Sequence, residues 1–170
     1  MPEGLLLLTV LAAQRLYELV LSRKNTAALM AKGGVEFGAG HYLSLVAFHS
    51  IWLLGLLVLG WDQPVSRLWL AVIVVMQAGR FWVMHSLGER WTTRVIVLPG
   101  VPPVKTGLYR LMKHPNYVVV GVEIAAVPLA LGLRTYAMVF LLLNLVVLGI
   151  RIKAEDKALR WAANPELAKP

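Results

Sequence analysis

Apolar segments long enough to cross a lipid bilayer fill most of this 170-residue chain. Hydrophobic residues make up 58% of it and charged residues only 15%, whereas a soluble domain carries about 25% charged residues. A membrane-spanning helix needs roughly 20 predominantly apolar residues. Five segments approach that length, at about 4–21, 42–60, 68–87, 117–133 and 135–150. The sequence therefore predicts an all-α integral membrane bundle of about five helices, built as a single domain over residues 1–170.

The connections between these segments predict the topology of the bundle. The last two segments are joined only by Leu133, Arg134 and Thr135, which predicts a tight helical hairpin. Lys and Arg accumulate on the cytoplasmic side of membrane proteins. With the N-terminus outside, 13 of the 17 Lys and Arg residues fall in inner segments (Lys169 among them), and only Arg67 and Arg134 fall outside. We therefore predict an N-terminus outside and a C-terminus inside, in the inner membrane of a bacterium and in contact with its lipids.

Several classes of function are disfavoured by the composition. The chain has no cysteine, so a disulfide framework, a thiolate metal site and a thiol nucleophile are excluded. The four histidines are His41, His49, His85 and His114. No two of them have metal-ligand spacing, which argues against a metal site. The net charge of +8 comes from short basic clusters between apolar segments, where anionic headgroups use it, so we expect no nucleic-acid partner. The lack of a G-x-G-x-x-G loop or any βαβ pattern argues against a Rossmann-type enzyme.

Ionisable side chains inside the apolar segments are costly unless they are paired or face a polar cavity. Arg15 and Glu18 are three residues apart on one helix and can pair with each other. Arg80 and Glu123 can pair across the third and fourth helices or line a site. His49 is expected to form a hydrogen bond with a neighbour rather than to bind a ligand.

The connection between the third and fourth segments, Arg90–Asn116, is the least lipid-like part of the chain. Its stretch Val95–Val104 is apolar and interrupted by prolines, which favours an extended backbone over a helix. A connection of this length with little helix signal is usually functional or disordered, and its apolar content argues against disorder. We therefore expect a functional segment.

Two pairs of side chains are expected to meet where the last two helices reach the cytoplasmic surface. Pro115 suits the first turn of a helix and places His114 and Tyr117 toward the same side. Arg151 and Glu155 lie on one face of the next helix, which runs antiparallel. The residues alone leave two interpretations open: anchors at headgroup depth with an Arg151–Glu155 ion pair, or a functional site.

The pattern Gly107-x-Tyr109-x4-His114-Pro-Asn-Tyr117, followed by Arg151-x3-Glu155, resembles the isoprenylcysteine carboxyl methyltransferase family. The resemblance covers about residues 80–160, the expected cofactor and catalytic part, and it implies a membrane enzyme that uses S-adenosyl-L-methionine. Arg151 and Glu155 would be the catalytic residues, with Arg151 binding the nucleophilic oxygen of the substrate. The residues implied to bind the cofactor are Arg94, Val101, Pro102, Pro103, Val104, Tyr109, His114, Pro115, Asn116, Tyr117 and Glu155.

The chain departs from the family pattern at Lys113, where the family has Arg, and at Asp156, where it has a second Glu. Its N-terminal part, Arg15-x2-Glu18 and Glu36–Tyr42, resembles a bacterial branch that methylates long-chain alkylpyrones or alkylresorcinols. The resemblance implies methyl transfer to a carboxylate, phenol or enol oxygen of a lipophilic or prenylated substrate at the cytoplasmic face, and it favours a phenolic or enolic lipid. Two alternatives are an NADPH-dependent membrane reductase related to sterol reductases and a non-catalytic membrane scaffold.

Overall fold

The computed structural model describes residues 1–164 and Glu166, so Lys169 of the charge balance lies outside the described residues. Each predicted apolar segment forms an α-helix: α1 (Glu3–Ala31), α2 (Ala39–Gly60), α3 (Arg67–Leu87), α4 (Pro115–Ala130) and α5 (Arg134–Ala163). Four of them are long and apolar enough to cross a membrane, and α4 is a shorter apolar helix. The prediction of an all-α membrane bundle is confirmed.

The tight hairpin between the last two helices is also confirmed. Three residues connect α4 to α5, and Gly132 among them has a positive φ of 74° that side chains with a Cβ rarely adopt. The amide of Leu133 closes the turn by donating to the carbonyl of Pro128 at 2.9 Å. α4 and α5 therefore run antiparallel as direct neighbours.

α4 is the central helix of the bundle although it is the shortest. Its 16 residues give a length of about 24 Å, less than the roughly 30 Å of the hydrocarbon core. α3 and α5 both pack against it, and its buried side chains include Val119, Ile124 and Val127. Its neighbours therefore shield α4 from lipid, and it does not need to match the bilayer by itself.

The outer faces of the other helices are apolar and exposed, as at Val58, Val75 and Leu142. Apolar surface on this scale is rare on soluble monomers. It is the surface expected where lipid chains cover the protein, so the chain is an integral membrane protein.

Inside the bundle, four charged side chains form a closed ring of ion pairs that joins α1, α3 and α4. Arg15 binds Glu18 at 2.6 Å and Glu123 at 2.8 Å; Arg80 binds Glu123 closely and lies 3.5 Å from Glu18. Both predicted pairs, Arg15–Glu18 and Arg80–Glu123, are confirmed. Two glutamines bridge the ring. The side-chain amide of Gln14 donates to Glu18 and, at 2.6 Å, to the side-chain oxygen of Gln77. The amide of Gln77 in turn donates to Glu123.

His49 lies beside this ring on α2. Its Nδ1 is 2.9 Å from the carbonyl oxygen of Leu45. The predicted hydrogen bond between His49 and a neighbour is therefore confirmed. A carbonyl can only accept, so Nδ1 carries the proton in this contact.

One end of the bundle carries a small antiparallel sheet, and we call it the polar end. β1 (Val35–Phe37) pairs with β2 (Val95–Val97). The sheet packs on the last turns of α5, where the rings of Phe37 and Trp161 lie 5.5 Å apart. The extended segment predicted before α4 thus begins with a strand, and its partner comes from the connection between α1 and α2.

Candidate functional site at the polar end

The start of α4 meets the last turns of α5 at the polar end. Tyr117 Oη donates a hydrogen bond to Glu155 Oε2, and His114 Nδ1 lies 3.6 Å from Glu155 Oε1, an ion-pair distance. The rings of His114 and Tyr117 stack with centroids 5.4 Å apart and an interplanar angle of 25°. The structure therefore brings together His114, Tyr117 and Glu155, three of the residues that the sequence placed in one site. We call these three residues the polar group.

Asp156 adds a second carboxylate to this group. It lies 3.2 Å from His114 Nε2 and 2.5 Å from Lys113 Nζ. The hydrogen-bonding and negative charge of Glu155, with a smaller contribution from Asp156, raise the pKa of His114 above its ordinary value, although partial burial opposes the shift. A protonated imidazole between two carboxylates is therefore favoured at the start of α4.

A short 3-10 turn, Gly107–Arg110, brings Tyr109 to the same group. Gly107 has a positive φ of 57°, and a Cβ there would overlap the Oγ of Ser86 on α3. Burial raises the pKa of Tyr109, and the negative charge of Glu155 adds to that shift, so this phenol stays neutral. The glycine at this motif position thus allows the turn to lie against α3, where Tyr109 packs beside Val83, Met84 and Trp91.

Two polar atoms beside this group are buried without a hydrogen-bond partner among the described residues. They are Oδ1 of Asn116 and Nδ1 of His114. Pro115, between them, is fully buried. Nδ1 of His114 still faces the Glu155 carboxylate at 3.6 Å, whereas Oδ1 of Asn116 has no such partner. Buried polar atoms are costly when unpaired, so Oδ1 of Asn116 is a candidate to bind a polar ligand.

Arg151 and Glu155 are one helical turn apart on α5 but form no ion pair within 4 Å in the described part of the chain. Glu155 contacts Tyr117 and His114, whereas Nη2 of Arg151 donates to the carbonyl oxygen of Thr93. The interpretation of Arg151 and Glu155 as a mutual structural ion pair is therefore wrong for this structure.

Arg151 also lines a groove of about 120 Å³ between α2 and α5. The walls are mostly apolar and are formed by Gly38, His41, Ser44 and Leu45 on one side and by Val147, Ile150, Arg151 and Ala154 on the other. A guanidinium in the wall of an apolar groove suits a ligand that has an anionic head and an apolar body.

The remaining predicted cofactor residues lie elsewhere at the polar end. Arg94 donates to both carboxylate oxygens of Glu36, at 2.8 and 3.0 Å, and lies over the ring of Tyr42 at 4.2 Å. The strip Val101–Val104 is tied near its start, where the amide of Gly100 donates to the carbonyl of Ala162 at 2.8 Å. Within the strip, the amide of Val101 donates to the carbonyl of Leu98 at 3.2 Å, and Nη1 of Arg90 donates to the carbonyl of Pro102 at 2.9 Å. None of these bonds reaches the His114–Glu155 group in the described residues.

Sequence reasoning missed the contributions of α1 and α2 to this end of the bundle. Ser22 of α1 and Tyr42 of α2 both contact the hydroxyl of Thr93, at 2.8 and 3.1 Å. For Ser22 the only sequence signal was a small polar residue just after the first apolar segment. Such a residue is ordinary at a helix end, so no partner could be assigned to it.

Taken together, the fold and these residues define an integral membrane helical protein with a cluster of polar side chains at one end and an apolar groove between α2 and α5. The family model of the isoprenylcysteine carboxyl methyltransferase family matches residues 69–161, from α3 to the last turn of α5. That match covers more than half of the chain. The chain therefore belongs to this family, which is a family of membrane methyltransferases.

Two curated relatives extend the similarity to nearly the full length. An uncharacterized Bacillus subtilis protein, YpbQ, is 41% identical over 91% of this chain and 95% of its own length. An uncharacterized protein of Haemophilus influenzae is 28% identical over 86% of this chain and 89% of its own. Because both alignments reach beyond residues 69–161, the N-terminal helices belong to the shared architecture. No solved structure matches the chain.

Proposed function

We propose that this protein transfers a methyl group from S-adenosyl-L-methionine to an oxygen of a lipophilic substrate at the cytoplasmic face of the membrane. The observation that supports this most directly is that two charged residues one turn apart on α5 have different surroundings. Arg151 lines the apolar groove, and Glu155, one turn later, belongs to the polar group at the start of α4. One helix thereby carries an oxyanion-binding residue and a cofactor-binding residue side by side.

The polar group suits the cofactor. S-adenosyl-L-methionine, when bound, supplies a methyl group activated by a sulfonium cation. Glu155 offers negative charge to that cation, and the rings of Tyr109 and Tyr117 offer aromatic faces. The unpaired buried Oδ1 of Asn116 offers a hydrogen-bonding position to the polar parts of the molecule.

Arg151 would hold the acceptor oxygen. A guanidinium binds a carboxylate, phenolate or enolate through directed N–H donors, which fixes orientation as well as charge. Methyl transfer needs alignment of the two reacting atoms more than acid–base chemistry, and good alignment supplies several orders of magnitude in rate. Arg151 would therefore act as a catalytic residue by orienting the acceptor oxygen toward the methyl group.

The groove between α2 and α5 would take the apolar part of the substrate from the membrane. Its walls are formed largely by Leu45, Val147 and Ile150, and Arg151 is part of its lining. An alkyl or prenyl chain in the bilayer is already out of water, so van der Waals packing against these walls would hold it in the groove. A phenolic or enolic lipid and a prenylated substrate both fit this description.

The domain and its orientation are part of the same proposal. We propose one domain over the chain, with the cofactor and catalytic part at about residues 80–160. The N-terminus lies outside the inner membrane and the C-terminus inside. The polar end then faces the cytoplasm, where the soluble cofactor is available.

Calorimetric titration of the detergent-purified protein with S-adenosylhomocysteine, and separately with NADPH, tests the cofactor. We expect S-adenosylhomocysteine to bind and NADPH not to bind. Tyr117→Ala and His114→Ala should each weaken S-adenosylhomocysteine about tenfold, the size of one lost contact. Tyr17→Ala and His85→Ala, on exposed helix faces, are the matched controls. NADPH binding with no response to S-adenosylhomocysteine would replace this proposal with a reductase.

A further inference from the structure

Thr93, just before β2, is the residue that anchors the side chain of Arg151. Its carbonyl oxygen accepts a hydrogen bond from Nη2 of Arg151, across 58 residues of sequence. A guanidinium has five N–H donors in a fixed plane, so fixing one of them restricts where the others point. The position of the Thr93 carbonyl therefore sets the direction of Arg151 in the groove.

Thr93 is itself held by two helices. Ser22 Oγ accepts a hydrogen bond from the amide of Thr93 at 2.8 Å and lies 2.8 Å from its hydroxyl. Tyr42 Oη lies 3.1 Å from the same hydroxyl. Ser22 is only 3% exposed, and a mid-helix serine commonly bonds back to its own helix. Here its hydroxyl instead reaches the segment before β2.

The following residue is fixed as well. Arg94 is bound by both carboxylate oxygens of Glu36 and stacks over the ring of Tyr42. The Thr93–Arg94 peptide, which carries the carbonyl that Arg151 uses, is thus fixed from both of its ends. Tyr42 takes part on both sides, through its hydroxyl and through its ring.

We infer that Ser22 and Tyr42 are positioning residues for methyl transfer, which act on the acceptor through Thr93 and Arg151. This inference rests on the proposed function. It assigns α1 and α2, which lie outside the family match at residues 69–161, the task of completing the acceptor side of the site. A displacement of Arg151 by a fraction of its length is enough to misalign an acceptor oxygen, and misalignment of about 1 Å can cost on the order of a hundredfold in rate.

The first test reads the position of Arg151 directly and needs no substrate. The purified protein is treated with phenylglyoxal, which modifies arginine, and the rate at Arg151 is followed by peptide mass spectrometry. Ser22→Ala removes two contacts of Thr93. We expect the labelling rate of Arg151 to rise about fivefold, the effect of losing its one hydrogen bond to the Thr93 carbonyl. Labelling of Arg160, exposed on the same helix, should stay unchanged.

The matched variants separate positioning from general loss of stability. Thr9→Ala removes a hydroxyl from α1 that only bonds back to Leu5, and it should label like the wild type. Tyr42→Phe removes a single hydroxyl and keeps the ring over Arg94, so it tests the same idea if Ser22→Ala does not fold. Wild-type labelling of Arg151 in both Ser22→Ala and Tyr42→Phe would overturn the inference.

The second test uses turnover, with a long-chain alkylresorcinol and a farnesylated cysteine analogue as acceptors. For an acceptor that the wild type methylates, Ser22→Ala should lower kcat about tenfold and leave S-adenosylhomocysteine affinity within twofold of the wild type. Unchanged kcat would overturn the positioning role. A wild type that binds no S-adenosylhomocysteine and methylates neither acceptor would count against the proposed function. The labelling result would then still decide whether Ser22 and Tyr42 position Arg151.

Discussion

Removal of one carboxylate from the buried ring of ion pairs should destabilise the protein more than any exposed ion pair could. Glu123 is 3% exposed and receives hydrogen bonds from Arg15, Gln77 and Arg80. The ring of two arginines and two carboxylates is neutral, so Glu123→Gln leaves one positive charge without a partner inside the membrane. Loss of one partner from a buried pair costs about 3–5 kcal/mol. For a chain of this size that is a fall in Tm on the order of 10 °C.

Thermal unfolding in detergent, followed by tryptophan fluorescence, measures this effect. The double variant, Glu123→Gln with Arg15→Gln, restores neutrality. We expect its loss of stability to be smaller than the sum of the losses in the two single variants. Glu89→Gln breaks the exposed Lys32–Glu89 pair and serves as the control, with little change in Tm. A Glu123→Gln variant no less stable than Glu89→Gln would refute the view that this ring holds α1 against α3 and α4.

Two further predictions concern topology and pH. Reporter fusions at the C-terminus should be active in the cytoplasmic reporter and silent in the periplasmic one, because 13 of the 17 Lys and Arg residues lie on that side in the predicted orientation. Activity only in the periplasmic reporter would reverse the topology. Because Glu155 raises the pKa of His114 above its ordinary value of 6.5, the stability from this contact is complete below pH 6.5 and is lost as pH rises through the folded pKa. As pH rises above 6.5 the wild-type Tm should therefore fall more than that of His114→Gln, and parallel curves would contradict this.

Much of the bundle follows from local sequence. Runs of apolar residues locate all five helices, and the short connection before Thr135 fixes the hairpin. Helix ends are less well specified, since α5 continues to Ala163, well past the apolar segment that was predicted to end near Ile150. Its last turns are held by the sheet through Trp161, a contact made by residues far apart in sequence.

The site was predictable where two consecutive helices create it. His114, Tyr117 and Glu155 meet because α4 and α5 are an antiparallel hairpin, and that can be deduced from spacing. The pairing of β1 with β2 joins segments 60 residues apart and has no local signal. The anchoring of Arg94 by Glu36 depends on that pairing, so the sequence could not show it.

The most direct measurement of the central claim is the affinity of S-adenosylhomocysteine for three proteins: wild type, Glu155→Ala and Arg151→Ala. Glu155 faces the polar group and Arg151 faces the groove, so the two variants should differ. We expect binding by the wild type, about tenfold weaker binding by Glu155→Ala, and nearly unchanged binding by Arg151→Ala. Methyl transfer by Arg151→Ala should nevertheless collapse, with partial recovery in Arg151→Lys, which keeps the charge and loses the two-pronged geometry. No binding by the wild type, or equal affinity in both alanine variants, would contradict the account.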